Sequence, residues 1–212
     1  MRLVLPRLYV ILDAGLLPSE ELDCAKMLAD CGVRLVQYRN KTAPARELLR
    51  ITRRLSAFFQ SKEVSFIVND RPDVACLAGA TGVHVGQEDL AVEDARRFVG
   101  AEKWVGVSTH NLEQIRLAAP TSADYIAVGP VFPTATKANP DPVVGTKLIR
   151  EARAITDKPL VAIGGITLER AREVFAAGAD SVVVVSDIWR APDPRQRVEQ
   201  YLKLFAGAVT AA

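Results

Sequence analysis

One nine-residue segment, residues 129–137, carries side chains that could bind an anion. It reads Gly-Pro-Val-Phe-Pro-Thr-Ala-Thr-Lys and follows an apolar run at residues 125–128. The hydroxyls of Thr134 and Thr136 and the ammonium group of Lys137 can all donate hydrogen bonds, and the two prolines restrict the backbone of the loop. This combination favours a phosphate or another anionic ligand.

Polar residues follow five further apolar runs in the same way. They are Gln37-Tyr38-Arg39-Asn40-Lys41, Asn69-Asp70, Gln87-Glu88-Asp89, Gly164-Gly165 and Val185-Ser186. If the apolar runs are parallel strands that close into a barrel, their carboxyl ends share one rim. The spacing therefore predicts that six polar segments converge.

The elements that would position these residues are eight repeated strand–helix units. Short runs rich in Val, Ile and Leu alternate with segments of helical spacing, which is typical of a parallel sheet covered on both faces. The predicted strands are residues 8–13, 34–39, 65–70, 82–86, 104–109, 124–131, 159–164 and 181–186. A glycine at position 32 predicts the end of the first helix, and Ser19 before Glu20 and Glu21 predicts its start.

We predict an α/β fold, specifically a (β/α)8 TIM barrel in a single domain over residues 1–212, with residues 207–212 as a frayed tail. A doubly wound sheet is the alternative, but it usually carries a glycine fingerprint after its first strand, and this chain has none there.

Composition excludes several classes of function. Hydrophobic residues make up 49% and charged residues 25% of the 212 residues, which is typical of a soluble globular protein. A net charge of +2 is too small for a broad nucleic-acid-binding surface, so no nucleic-acid partner is expected.

Cysteine usage and hydropathy bear on the compartment. Cys24, Cys31 and Cys76 form no CxxC pair and leave an odd number, so neither a disulfide framework nor a zinc site is predicted. No apolar stretch approaches the roughly 20 residues that cross a bilayer, and no secretory signal is evident. We expect a cytoplasmic protein with no membrane partner, and assembly into a homo-oligomer is left open.

The two glycines after the seventh strand and Val185-Ser186 after the eighth stand where such barrels bind a phosphate. Glycine exposes backbone N–H groups, and a short helix at residues 187–190 would begin beside them. The alternative is that Gly164 and Gly165 only permit a tight turn.

A second group pairs cations with carboxylates: Arg39, Lys41 and Lys137 with Asp70 and Asp89. Two carboxylates at neighbouring strand ends can hold Mg²⁺, which takes its other ligands from water and substrate phosphates. Surface salt bridges at loop ends are the alternative.

A monophosphate site and a Mg²⁺–diphosphate site in one rim imply two phosphorylated substrates. One would lose pyrophosphate and the other would attack the vacated carbon, as in a transferase. No Ser-His-Asp or Cys-His set is evident, and an aromatic nitrogen attacking through its lone pair needs no strong base.

The chain resembles the thiamine-phosphate synthase family over nearly its whole length. The resemblance is carried by seven segments in order, residues 37–41, 68–71, 82–89, 106–108, 129–137, 162–166 and 184–186. It implies a TIM-barrel transferase of thiamine biosynthesis that requires magnesium. Its substrates would be 4-amino-2-methyl-5-hydroxymethylpyrimidine diphosphate and 4-methyl-5-(2-hydroxyethyl)thiazole phosphate, joined with release of pyrophosphate.

The resemblance also implies roles for individual residues. Those that would bind the pyrimidine diphosphate are Gln37, Tyr38, Arg39, Asn40, Lys41, Asn69, Ser108 and Lys137. Those that would bind the thiazole phosphate are Thr134, Ala135, Thr136, Gly165, Val185 and Ser186. Asp70 and Asp89 would hold Mg²⁺, and Arg39, Lys41, Ser108 and Lys137 would serve catalysis.

The implied mechanism is dissociative, in that the aminopyrimidine stabilises a benzyl-like cation after pyrophosphate departs and the thiazole nitrogen captures it. A thiazole tautomerase of the same superfamily and a non-catalytic barrel that binds one phosphate ligand remain as alternatives. His84 is interpreted as a hydrogen-bonded barrel residue, and the role of His110 is left open.

Overall fold

The structure is a computed structural model that describes residues 3–134, 136 and 141–206. Its strands are β1 (Leu8–Asp13), β2 (Leu35–Arg39), β3 (Ser65–Asn69), β4 (Gly82–Val85), β5 (Trp104–Thr109), β6 (Tyr125–Val128), β7 (Leu160–Ala162) and β8 (Ser181–Val184). They are hydrogen-bonded in sequence order and β8 pairs with β1, so the sheet is a closed parallel barrel. The predicted (β/α)8 barrel is confirmed. The predicted tail at 207–212 lies outside the described residues.

Helices follow the strands and cover the outside of the barrel. They are α1 (Glu21–Cys31), α2 (Ala45–Ser61), α3 (Pro72–Leu77), α4 (Val92–Val99), α5 (Leu112–Ala118), α6 (Gly145–Ile155), α7 (Ala171–Ala176), α8 (Ser186–Trp189) and α9 (Pro194–Ala206). None of the helices in the described part of the chain has the length and apolar character needed to cross a bilayer.

Helix α2 illustrates why these segments are helical. Leu48, Ile51, Leu55 and Phe59 recur at spacings of three and four residues and are all buried, so they form one apolar face. Phe59 packs against Phe66 of β3 with ring centroids 5.1 Å apart. The apolar face therefore holds the helix against the barrel wall.

Several predicted boundaries are wrong by one to three residues. The sixth strand ends at Val128 rather than 131, because Pro130 has no N–H to donate to a ladder. The seventh is Leu160–Ala162 rather than 159–164, since Gly164 and Gly165 take positive φ angles of 99° and 62°. Helix α1 begins after Glu20 without a side-chain cap from Ser19, and the short helix is Ser186–Trp189 rather than 187–190.

Side chains that point into the barrel form a separate inner cluster. It contains Tyr9 and Ile11 of β1, Leu35 of β2, Ile67 of β3, Tyr125 and Ala127 of β6, Val161 of β7 and Val183 of β8, together with Leu5. The outward residues of the same strands pack under the helices. The inner cluster fills the barrel, so ligands can enter only at its ends.

The fit around Tyr125 depends on a glycine in the neighbouring strand. A Cβ on Gly106 of β5 would lie 2.1 Å from Cζ of Tyr125, which is far below van der Waals contact. Tyr125 is fully buried, so it has no space into which to move.

We predict that Gly106→Ala lowers the free energy of unfolding by at least about 2 kcal/mol, because the added methyl group overpacks the barrel interior. Urea unfolding followed by circular dichroism measures this change. The matched control is Gly15→Ala, where the nearest heavy atom to the new Cβ is 3.4 Å away. Equal stability of the two variants would contradict the packing argument.

Candidate functional site

A cavity of about 770 Å³ opens at the carboxyl ends of the strands. This size lies within the usual range for small-molecule sites. Predicted site residues that line the cavity are Gln37, Arg39, Lys41, Asn69, Asp70, Asp89, Ser108, Thr134, Thr136, Gly165, Val185 and Ser186. The structure thus brings together most of the polar strand ends that the sequence singled out.

A second, shallower cavity of about 520 Å³ lies at the opposite end of the barrel. Its lining includes Val64 and Ser65 at the start of β3 and Lys103 just before β5. Because the amino ends of barrel strands serve stability rather than ligand binding, the cavity at the carboxyl ends is the candidate site.

Arg39 is held at the cavity by a carboxylate that the sequence analysis missed. Its Nη1 donates to Oδ2 of Asp13 at 2.5 Å, and the two residues are register partners at the ends of β2 and β1. Asp13 is buried, and its other oxygen accepts from the backbone N–H of Gly15 at 3.1 Å. A carboxylate that ends the apolar run of β1 was the signal that could have identified it.

Lys41 forms an ion pair with Asp70. Asp70 follows β3 with a φ of 61°, a left-handed conformation that is uncommon for a residue other than glycine. Its backbone N–H donates to the carbonyl of His84 at 2.7 Å, which fixes this strained position. The loop after β3 therefore presents the Asp70 carboxylate toward Lys41.

Asp89 lies near Asp70 in the loop after β4. Burial raises the pKa of Asp89, and the neighbouring Asp70 carboxyl raises it further, while the N–H of Gly86 and the charge of Lys41 act in the opposite direction. The Gly86 N–H donates to Oδ2 of Asp89 at 2.7 Å. Two crowded carboxylates of this kind would be stabilised by a cation between them.

Within the described ranges, no three His, Cys, Asp or Glu side chains form a group that could hold a metal alone. Asp70 and Asp89 nevertheless supply hard oxygen ligands of the kind that Mg²⁺ prefers. A cation here would need further ligands from water or substrate. The two carboxylates thus fit a metal shared with a phosphorylated ligand rather than a closed structural site.

Two residues of the segment 37–41 do not line the cavity. Tyr38 points outward from β2 into the layer beneath the helices, where its hydroxyl donates to Glu21 at 3.0 Å. Asn40 accepts the backbone N–H groups of Thr42 and Ala43 through Oδ1, and its amide donates to the Tyr38 hydroxyl. Their side chains shape the loop that carries Lys41, because alternate residues of a strand point to opposite faces.

The loops after β6 and β7 form the other half of the cavity. Val131 N–H donates to the carbonyl of Ile163 at 2.8 Å, and Phe132 N–H donates to that of Gly164 at 3.0 Å. A Cβ on Gly165 would lie 2.4 Å from the carbonyl oxygen of Pro133, so a side chain there would separate the two loops. The glycines therefore serve both the tight turn and the close approach of the loops.

The described residues include two of the four predicted site residues of the segment 134–137. Thr134 and Thr136 lie at the cavity with their Oγ1 atoms 3.2 Å apart. Ala135 and Lys137, which the sequence analysis also placed in the site, lie outside the described residues.

Helix α8, which begins at Ser186, is fixed from two sides. The indole N–H of Trp189 donates to the carbonyl of Ile11 at 2.6 Å. Asp187 accepts from Arg197 at 2.8 Å and from the hydroxyl of Tyr201 at 2.7 Å, both from α9. Burial raises the pKa of Tyr201, so its hydroxyl keeps the proton that it donates.

The two histidines have different settings. His84 is buried in β4 and contacts Tyr125 and Ser108, as expected of a hydrogen-bonded barrel residue. His110 lines the cavity with Nδ1 2.6 Å from the carbonyl of Gly129 and Nε2 3.5 Å from Asp141. His110 thus connects the end of β5 to both ends of the loop after β6.

Comparison with known proteins decides the family. The sequence model of a family described as thiamine monophosphate synthase matches residues 8–188. The thiamine-phosphate synthase of Koribacter versatilis is 50% identical over 208 residues, which covers 96% of this chain and 97% of that protein. The chain belongs to the thiamine-phosphate synthase family.

Further members of the family agree with this assignment. The thiamine-phosphate synthase of Chlorobium phaeovibrioides is 40% identical, with 93% of each chain covered. The solved structure of the thiamine phosphate pyrophosphorylase from Pyrococcus furiosus superimposes with a TM-score of 0.86 at 33% identity and covers 96% of both chains. A 3-hexulose-6-phosphate synthase at 19% identity, with a TM-score of 0.68, shares the fold alone.

We predict that Asp13→Ala lowers the free energy of unfolding by about 2–4 kcal/mol, because it leaves the partly buried Arg39 guanidinium without its charged partner. Urea denaturation of the purified variant measures the loss. Asp23→Ala, which removes an exposed ion pair with Lys26, is the control and is expected to change stability by less than about 0.5 kcal/mol. A loss at Asp13 no larger than that at Asp23 would show that the pair does not hold Arg39.

Proposed function

We propose that this protein joins 4-amino-2-methyl-5-hydroxymethylpyrimidine diphosphate to 4-methyl-5-(2-hydroxyethyl)thiazole phosphate, giving thiamine phosphate and pyrophosphate. The observation that carries the proposal is a single cavity with two differently charged halves. Arg39, Lys41, Asp70 and Asp89 line one half, and hydroxyls and glycine backbone of the loops after β6, β7 and β8 line the other. The two ligands named are those that the resemblance to the thiamine-phosphate synthase family implies.

In the proposed complex the diphosphate lies in the charged half. Arg39 and Lys41 donate to its oxygens, and Lys137 does so from the loop after β6. Asp70 and Asp89 are the residues that would hold Mg²⁺ in this half of the cavity. The raised pKa of Asp89 supports this assignment, since an added cation relieves the repulsion between the two carboxylates. When bound, Mg²⁺ neutralises charge that develops on the departing pyrophosphate.

The pyrimidine ring lies deeper in the cavity, against Gln37, Asn69 and Ser108. These side chains offer amide and hydroxyl groups that can orient a polar heteroaromatic ring. The side chains of Tyr38 and Asn40 act through the shape of the 37–41 loop, because both point away from the cavity.

The thiazole phosphate occupies the other half. Backbone N–H groups at Gly165, Val185 and Ser186 and the hydroxyls of Thr134, Thr136 and Ser186 are suitable donors for a monophosphate. The family resemblance adds Ala135 to this set of residues. The contact between the β6 and β7 loops supports this assignment, because it holds the donors of both loops beside one another.

The reaction in this arrangement is a substitution at carbon. The bond between the pyrimidine methylene carbon and the diphosphate oxygen breaks, and its electron pair leaves with pyrophosphate. The lone pair of the thiazole nitrogen then forms the new carbon–nitrogen bond, so no proton needs to be removed from the nucleophile. Catalysis by Arg39, Lys41, Lys137 and Ser108 consists of neutralising the leaving group and aligning the two rings.

The direct test incubates the purified protein with both substrates and Mg²⁺ and measures thiamine phosphate and pyrophosphate. Formation of both in equal amounts is the expected result. The absence of both products, with protein that is folded by circular dichroism, would overturn the proposal. Isomerisation of a thiazole carboxylate phosphate substrate under the same conditions would instead identify a tautomerase, which has no use for Asp70, Asp89 or Lys41.

We predict that Asp89→Asn lowers turnover at least tenfold, which is equivalent to about 1.4 kcal/mol of activation free energy. The reason is that one of the two carboxylates proposed to bind Mg²⁺ loses its charge. The amide can still accept from the Gly86 N–H, so the loop is expected to keep its shape. Steady-state kinetics at saturating substrates measures the change.

A second measurement separates metal binding from catalysis. With the pyrimidine diphosphate present, Mg²⁺ is expected to raise the Tm of the unchanged protein and to raise that of Asp89→Asn much less. Asp94→Asn on the exposed face of α4 is the matched control and is expected to behave like the unchanged protein. Normal turnover and a normal Mg²⁺ effect in Asp89→Asn would remove Asp89 from the site.

A further inference from the structure

Five side chains form a hydrogen-bonded chain through the barrel interior, and we call them the buried chain. Nε2 of Gln37 donates to the Tyr9 hydroxyl at 2.8 Å, and the hydroxyls of Tyr9 and Tyr125 are 3.1 Å apart. The Tyr125 hydroxyl is 3.1 Å from Nδ1 of His84, and Nε2 of His84 is 2.9 Å from Oγ of Ser108. The buried chain therefore connects Gln37 and Ser108, two of the three residues proposed to contact the pyrimidine ring, through three buried side chains.

The strand register brings the middle of the chain together. Gly106 of β5 is the partner of His84 on one side and of Tyr125 on the other. Since Gly106 has no side chain, the two rings stack across it with centroids 5.6 Å apart and planes inclined by 23°. A larger residue at position 106 would displace Tyr125 from this contact.

Counting protons fixes the direction of the chain. The Tyr9 oxygen accepts from Gln37, and both tyrosines keep their protons because burial raises the pKa of each. If Tyr125 donated to Tyr9, the buried proton of Tyr9 would have no acceptor among the hydrogen bonds that the described residues make, which is costly. Tyr9 therefore donates to Tyr125, and Tyr125 donates to Nδ1 of His84.

This direction determines the tautomer of His84. With Nδ1 accepting, His84 is neutral and carries its proton on Nε2, which donates to the oxygen of Ser108. An imidazolium would donate from both nitrogens, force Tyr125 to donate to Tyr9 and leave the same buried proton unpaired.

The two ends of the buried chain then present opposite groups to the cavity. Gln37 has used an amide N–H inside the barrel, so its carbonyl oxygen is available to accept from a ligand. Ser108 accepts from His84, so its hydroxyl proton is available to donate. An aminopyrimidine offers the complement, with a donor in its exocyclic amino group and an acceptor in a ring nitrogen. A 4-oxopyrimidine reverses both groups, because its oxo group is an acceptor and its adjacent ring N–H is a donor.

We propose that Tyr9, Tyr125 and His84 are positioning residues that fix this acceptor and donor, and thereby set the preference for a 4-aminopyrimidine over a 4-oxopyrimidine diphosphate. The inference rests on the proposed function, which places the pyrimidine at Gln37 and Ser108. It assigns a role to side chains that the proposed reaction does not otherwise use.

The test compares the binding of the two pyrimidine diphosphates by titration calorimetry, with Mg²⁺ present and thiazole phosphate absent. Binding is the appropriate readout, because the oxo group also changes the chemistry of the carbon–oxygen bond. Two mispaired groups at about tenfold each predict that the unchanged protein binds the amino compound about 100-fold more tightly. Tyr125→Phe is expected to narrow this ratio about tenfold, and Tyr201→Phe, which also removes a buried hydroxyl, is expected to keep it.

Nitrogen NMR of labelled histidine tests the buried chain without any ligand. The protein has two histidines, His84 and His110, so the signals that remain in the His110→Asn variant belong to His84. The unchanged protein is expected to show the neutral tautomer protonated on Nε2, and Tyr125→Phe a mixture of tautomers. If Tyr125→Phe fails to fold by circular dichroism, Tyr9→Phe breaks the chain on the other side of the same bond and is expected to narrow the ligand ratio.

The outcomes separate the two proposals. An Nδ1-protonated or imidazolium His84, or an unchanged ligand ratio in a folded variant, would overturn the role of the buried chain. Failure of the unchanged protein to bind either pyrimidine diphosphate would overturn the proposed function and with it the ligand preference.

Discussion

Closure of the barrel through the pairing of β8 with β1 is the constraint on which the other features depend. Because all eight strands are parallel, closure brings every carboxyl end to one rim and every amino end to the other. Residues as distant in sequence as Asp13 and Ser186 consequently line the same cavity. The polar residues at the strand ends come together only through this closure, since no single loop contains both Asp70 and Asp89 and the donors proposed to bind phosphate.

Bringing polar ends together also concentrates charge, and the rim compensates for it locally. Asp13 with Arg39 and Asp70 with Lys41 form ion pairs between adjacent strand ends. Asp89 has no such close cationic partner in the described part of the chain. Its raised pKa shows that burial and the nearby Asp70 disfavour its charged form. The uneven compensation distinguishes groups that shape the rim from a group suited to an added cation.

Periodicity in the sequence predicted the strand order, the barrel and the cavity rim, because runs such as those of β1 and β5 are apolar throughout and end in polar residues. It did not predict which way each side chain points. Tyr38 and Arg39 are neighbours in one motif, yet the alternation of a strand turns the first toward the helices and the second toward the cavity. It also missed Asp13 and the contact between Tyr9 and Tyr125, whose residues are 116 positions apart, because long-range pairing depends on register rather than on local pattern.

Helix α9 is connected to the rim through Arg197 and Tyr201, which both donate hydrogen bonds to the carboxylate of Asp187. Asp187 directly follows Ser186 in α8, so the last helix of the barrel helps to hold Ser186 in position at the rim. Substitutions of Arg197 or Tyr201 would consequently change the affinity for a ligand at Ser186, although neither residue lines the cavity. In related sequences, variation at these two positions would be a means of adjusting affinity while the rim itself stays the same.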